Sequence, residues 1–433
     1  MKKKPLRPLP KHPWLQKLWA SRLAFFNFFS LGLLKATDAL ILLFLIPIII
    51  SRVGIAHFGV IAFVTVWLNY GRTIVDYGFN ISGVRQIALI GEDREALSSL
   101  FYQVLYSKAI IALGFILSLL LIVELIPFLG EKEAVFQWGL WIVVGQVFFT
   151  DWFFIGLQKS YLLAIANLLI KGLYAAMIIW GIQKEADYIY VLAYQGMAAT
   201  AIGVGVILYI IYHFQLRFQP PKWKDIMAHL RVDFKLLGSS LAIEFNSSYS
   251  LLVLNFVWGD VLTGYFNVMY RLLQPVRFLL IIFSQTIFPI VCEKTKEGWL
   301  ELRLFLRNAF LLFIGAPVVA VILLAIFAEP IFLYFAGDVN DELLYSLRLY
   351  LIVPLVTLFN IPAYQILLAY DFKTAYVSVL FSGLLINLIL AYVLTVQYEL
   401  NGLVYALLVV EAWVCLGFYI MMNKHRNLIT QHG

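Results

Sequence analysis

Between Leu68 and Asn80 the chain reads LNYGRTIVDYGFN, which sets an arginine and an aspartate one helical turn apart, at Arg72 and Asp76, in otherwise apolar surroundings. A charge at bilayer depth costs about 2.5–3.5 kcal/mol on insertion scales, so such a residue needs a partner, a wet cavity or a ligand. Similar apolar stretches hold the cations Lys35, Lys108, Lys171, Arg271, Arg277 and Arg348 and the anions Asp38, Asp151, Glu244 and Glu411. Lys35 and Asp38 are again one turn apart, and a self-neutralising pair is the plain reading of both pairs. Lys108 and Arg348 fall near predicted helix ends, where long side chains reach back to the interface. Arg271 and Arg277 differ. They share LTGYFNVMYRLLQPVRFLLIIF with no carboxylate within one turn, so they require a water-filled interior or an anionic ligand. The planar guanidinium fork bonds two oxygens at once and suits phosphate. Arg72, Arg271 and Arg277 are thus expected to hold a negatively charged substrate, with Asp76 orienting it or moderating its charge.

The elements that must position these groups follow from composition. Of 433 residues 62% are hydrophobic and 13% charged, with mean hydropathy +0.88. Soluble proteins carry about 25% charged residues, so this is an all-α, polytopic membrane protein. A crossing helix needs about 20 apolar residues. That ruler gives twelve expected spans, near 24–50, 57–83, 101–124, 135–157, 162–182, 190–212, 236–257, 263–290, 308–328, 343–369, 375–396 and 402–422. The basic N-terminal tail, with Lys2, Lys3, Lys4 and Arg7, reads as a retained cytoplasmic segment. Alternate loops then sort by charge. Arg85, Arg94, Lys159, Arg217, Lys222, Lys224, Lys294, Lys296, Arg303, Arg307, Lys373 and Lys424 fall on the tail's side. The opposite side is acidic, with Glu131, Glu133, Glu185, Asp187, Asp260, Asp338, Asp341 and Glu342. Twelve helices with both termini cytoplasmic follow from that bias.

The long basic connection at 213–235 falls at the midpoint and divides the chain into two expected lobes, 1–215 and 216–433. An internal repeat agrees. Gly54 and Gly59 precede Arg72, which comes thirteen residues after Gly59; Gly259 and Gly264 precede Arg277 at the same offset. Such duplication is common in transporters. Pro47, Pro275, Pro289, Pro354 and Pro362 interrupt spans and mark kinks. Trp67, Tyr70, Tyr249 and Tyr270 are aromatics that could stack on sugar rings. Cys292 and Cys415 lie far apart, and neither a disulfide nor a metal site is expected. No phosphate-binding loop or HExxH motif occurs, so ATP hydrolysis is excluded and no cofactor is expected. The charge of +7 reflects topology and does not point to nucleic acid.

Three segments carry a resemblance. LNYGRTIVDYGFNISGVRQIA (68–88), through Tyr77, Gly78, Phe79, Asn80 and Arg85, resembles the signature of bacterial polysaccharide-repeat flippases. DWFFIGLQKS (151–160) looks like the end of that family's fourth helix, and 361–413, with Asn387, Gly402 and Glu411, is similar to its last three helices. The resemblance implies the multidrug/oligosaccharidyl-lipid/polysaccharide exporter superfamily, with two six-helix lobes around a central cavity working by alternating access. It implies an undecaprenyl-diphosphate-linked oligosaccharide, of O-antigen or a related surface polymer, as substrate in the bacterial inner membrane. It also implies cavity cations on helices one, two and eight, which here would be Lys35, Arg72, Arg271 and Arg277. Coupling to H⁺ or Na⁺ would fall to Asp38, Asp76, Asp151, Glu244 or Glu411. Membrane lipids are expected partners, as are a polysaccharide polymerase and a chain-length regulator. The alternatives are a multidrug exporter of the same fold and a membrane glycosyltransferase or polymerase, the latter disfavoured by short external loops.

Overall fold

The computed structural model describes residues 13–425, Glu92 excepted; the side chains of residues 13–40, Leu42, His229 and Leu312 are also outside the description. The expected tail at 1–12 and the side chains of Lys35 and Asp38 therefore lie outside the described residues. Helix is the only regular secondary structure among those described. The first half holds α1 (Pro13–Asp76), α2 (Phe79–Ile90), α3 (Arg94–Leu125), α4 (Pro127–Gly130), α5 (Glu133–Gly139), α6 (Trp141–Phe148), α7 (Asp151–Gly156) and α8 (Ser160–Gly181). A 3-10 turn, Glu185–Tyr190, leads into α9 (Val191–Phe214). After the connection at 215–222 come α10 (Trp223–Lys294), α11 (Trp299–Ile326), α12 (Ala328–Ala336), α13 (Asp341–Tyr350), α14 (Ile352–Ala369) and α15 (Lys373–Lys424).

Nine apolar segments among the described residues are long enough to cross a bilayer. Three of them double back. Gly54 (φ 81°) breaks α1, and Leu43 before it lines the same cavity as Thr65 and Val66 after it. Gly259 (φ 78°) breaks α10, and Glu244 before it shares that cavity with Tyr270 after it. In α15 the break falls at Tyr398 and Glu399, and Gly383 packs on Val414 across the hairpin. Only glycine enters positive φ without cost, which is why the repeated glycines turn the chain while the prolines stay inside continuous helix. Counting each hairpin twice is consistent with the twelve expected crossings.

The repeat has a tertiary meaning. A Cβ on Gly59 would sit 1.8 Å from the carbonyl oxygen of Asp260, and one on Gly264 would sit 2.4 Å from that of Ile55. Residues 55 and 260 are themselves 205 apart, like every other pair in the repeat. The two halves thus touch through a reciprocal backbone contact that only hydrogen side chains permit. Lys132 adds an ion pair to Asp260 at 3.0 Å across the same seam, at the acidic end of the helices. The largest buried cluster, from Leu45 through Ala406, draws on both halves.

The second expected span is shorter than 57–83. Tyr77 (φ 48°) and Gly78 (φ 90°) end α1, and α2 turns away. It packs on α7, and the fit is close: a Cβ on Gly83 would meet the Trp152 ring at 2.8 Å, and one on Gly156 would meet Ile87 at 2.8 Å. Two of the three stretches that carry the sequence resemblance therefore pack on one another. Their glycines let α2 and α7 touch.

Candidate functional site

Thr65, Asn69 and Arg72 recur at three- and four-residue spacing on the second limb of α1 and line one cavity of about 510 Å³. Gln146 of α6, Asp151 at the start of α7, Asn167 and Lys171 of α8, and Gln195 of α9 complete its walls, and Arg271 of α10 closes it from the other half. An adjoining cavity of about 350 Å³ shares Thr65, Asn69 and Arg271; Leu43, Ala62 and Val66 of the first half line it together with second-half residues that include Glu244, Asn267 and Tyr270. Arg72 and Arg271, predicted from opposite halves, thus face one polar chamber. Its lining holds three cations, Arg72, Lys171 and Arg271, against two carboxylates, Asp151 and Glu244.

Arg72 does not pair with Asp76, contrary to the self-neutralising reading. Asp76 takes the Lys108 ammonium at 2.8 Å, and the Lys108 side chain is 2% exposed. Lys108 does not snorkel; it also donates to the Phe149 carbonyl at 3.0 Å. That carbonyl is free because the chain leaves helical geometry between α6 and α7, where Phe149 is extended. Gln146 links the two charges. Its Nε2 donates to Asp76 Oδ1 at 2.8 Å, while its Oε1 accepts from Arg72 Nε at 3.1 Å. The result is a relay, Lys108 to Asp76 to Gln146 to Arg72. It spends the Asp76 charge on a buried ammonium and fixes one edge of the Arg72 guanidinium, whose terminal nitrogens remain for the cavity. Asp151 lies within electrostatic reach of Asp76, Lys108 and Arg72, and accepts the backbone N–H of Trp152 at 2.8 Å.

Arg271 Nε donates to Asn267 Oδ1 at 3.3 Å. Arg277 lines neither cavity. Its Nη2 donates to the Tyr350 hydroxyl at 2.9 Å, and its guanidinium lies 5.2 Å from the Tyr270 ring centre and 5.7 Å from that of Tyr350. The expectation that Arg277 needed water or an anion is met otherwise, by aromatic faces and a phenol behind the chamber wall. Glu411 sits in electrostatic reach of Arg277 and accepts from Thr357 at 2.9 Å and Asn360 at 3.1 Å. Arg348 is exposed, as expected. The sequence marks Lys171 as a cation within a span without assigning it to the site, and it gives no role to the neutral residues Asn69, Gln146, Asn167 and Gln195. Asn167 and Lys171 at four-residue spacing were the available signal.

The model of the polysaccharide biosynthesis protein family matches residues 25–294, more than half of the chain. The chain belongs to that family. Among curated proteins, a relative in Escherichia coli (strain K12), named "Putative O-antigen transporter", is 22% identical over 405 residues, covering 93% of this chain and 96% of its own. Two solved structures give the fold. An inward-facing multidrug resistance MATE family transporter of the MOP superfamily is 14% identical, with TM-score 0.71, over 92% of this chain and 96% of its own. The lipid II flippase MurJ, in an inward closed conformation, is 13% identical, with TM-score 0.61, over 94% and 87%. This family member is a multi-pass membrane protein with the MOP-superfamily transporter fold.

Proposed function

We propose that the protein flips undecaprenyl-diphosphate-linked oligosaccharide repeat units, of O-antigen or a related surface polysaccharide, across the bacterial inner membrane. The single observation that carries this reading is the shared chamber, where Arg72 and Lys171 of the first half meet Arg271 of the second. A diphosphate offers these cations the oxygens their donors fit. Thr65, Asn69, Gln195 and Asn267 add neutral groups suited to sugar hydroxyls. Segments 1–215 and 216–433 would act as lobes that rock about the glycine seam, with both termini cytoplasmic and the charge bias of the loops as support.

Coupling to H⁺ or Na⁺ would use Asp151 or Glu244, the carboxylates on the chamber wall. Asp76 is the weaker candidate because Lys108 already occupies it, and Glu411 stands back with Arg277. Lys35 and Asp38 keep their proposed roles on resemblance alone. A polymerase and a chain-length regulator would take the product onward. A multidrug exporter is the second reading, motivated by the MATE-like fold, but cationic drugs would meet a chamber with more cations than carboxylates.

The test is complementation. In a strain lacking this gene, Arg72→Ala and Arg271→Ala should each cut surface polymer at least tenfold while the protein inserts normally. Arg277→Gln should act more weakly, since its side chain stands behind Tyr270. Wild-type polymer in both chamber variants would end the proposal.

A further inference from the structure

A second cavity, of about 420 Å³, lies away from the chamber, where the first turns of α11 meet the ends of α14 and α15. Trp299, Arg303 and Arg307 follow one another at four-residue spacing along α11, so they form one stripe. Both arginines are exposed, and neither has a hydrogen bond or an ion pair with any described residue. Behind them the wall is apolar: Leu306 and Ile366 are buried, and Phe310 and Met422 pack against the same core. Asn423 adds a neutral polar group at the mouth.

That combination differs from a solvated basic face. Two unpartnered guanidinium groups one turn apart present converging donors, while hydrophobic side chains continue the pocket inward. Free phosphate would use only the rim, and an apolar molecule only the wall. A membrane lipid with an anionic phosphodiester uses both, and basic pockets between helices at the basic side of a membrane protein bind such heads. Trp299 at the pocket's end is the residue type that settles at headgroup level.

We infer that the pocket bounded by Arg303, Arg307 and Phe310 is a binding site for one anionic phospholipid, its phosphate on the two arginines and its first acyl carbons on the Leu306–Phe310 wall. The site is separate from the proposed substrate chamber and stands whether or not that proposal does. Holding a lipid there would tie α11 to the ends of α14 and α15 and make the protein sensitive to the anionic lipid content of its membrane.

The test is a lipid titration of the purified full-length protein in neutral detergent, read by native mass spectrometry. The probes are phosphatidylglycerol, phosphatidylcholine, undecaprenyl phosphate and inorganic phosphate. Phosphatidylglycerol should bind at one site, and Arg303→Gln/Arg307→Gln should weaken it about thirty-fold, from about 1 kcal/mol per basic residue. Arg231→Gln/Lys235→Gln, the same charge change elsewhere on the basic face, should leave it within twofold. Phe310→Ala should weaken the phospholipid while leaving inorganic phosphate unchanged. Equal thermal midpoints will show that the exposed substitutions leave the fold intact. Retention of phosphatidylglycerol by the double variant would overturn the inference. So would equal binding of phosphatidylcholine, displacement by millimolar phosphate, or occupancy by undecaprenyl phosphate in place of phosphatidylglycerol.

Discussion

The reciprocal glycine contact predicts what a single methyl group should do. In Gly59→Ala the new Cβ would lie 1.8 Å from the Asp260 carbonyl oxygen, 2.7 Å from its carbonyl carbon and 2.9 Å from the Gly264 nitrogen. All three are backbone atoms, so no side chain can swing aside. Relief requires α1 and α10 to part by more than about 1 Å at this seam, since closer contacts are strongly repulsive. Overpacking of this kind costs about 1–3 kcal/mol, and the cost falls only on the arrangement in which the acidic ends are together. A bias of that size moves a two-state equilibrium about 5- to 150-fold. The assay is thiol accessibility. Asn69→Cys, placed in a Cys292→Ser/Cys415→Ser background, reports on the chamber, and a membrane-impermeant maleimide is added from the acidic side. Gly59→Ala should raise the labelling rate at least fivefold. Gly264→Ala, at 2.4 Å from the Ile55 oxygen, should act in the same direction. Gly114→Ala has open space around it and serves as the control. Unchanged labelling in a Gly59→Ala protein that expresses and inserts normally would refute the idea that this contact holds the acidic side shut.

Two further outcomes follow from the ion pair at Asp76 and from the contact between α2 and α7. Lys108→Met leaves that carboxylate without its cation and should cost about 3 kcal/mol, the low end for a broken buried pair because Asp76 is 23% exposed. Thermal unfolding of Lys108→Met, Asp76→Asn and the double variant should give a coupling above about 1 kcal/mol; strictly additive single effects would mean that the pair does not interact. Gly83→Val places bulk where a Cβ already meets Trp152 at 2.8 Å. It should loosen α2 from α7 and lower the unfolding midpoint by several degrees, whereas Gly172→Val, with open space around it, should lower it less.

The amino-acid sequence by itself determined the membrane class and the internal repeat, and its twelve expected crossings are consistent with the nine apolar segments of the described residues. Runs of about 20 apolar residues have one stable solution in a bilayer, because backbone groups there must bond within their own helix. Gly54 and Gly259 were legible only as marks of the repeat; the structure showed that they reverse the chain in positive φ, where a residue without a Cβ is favoured. Cost alone marked Arg271 and Arg277 as needing water or an anion, but of these two only Arg271 lines the chamber, beside Arg72. The tertiary structure decided which charges meet. Asp76 looked toward Arg72, four residues away, yet its ammonium comes from Lys108, brought to it by a different helix. Nothing local marks Gln146 as the bridge or Tyr350 as the cap on Arg277, because both contacts join residues more than 70 positions apart. Local spacing fixes only neighbours within a turn. Which partner a buried charge takes depends on packing between helices, and that is settled only when glycine faces such as Gly59 on Asp260 and Gly83 on Trp152 have brought those helices together.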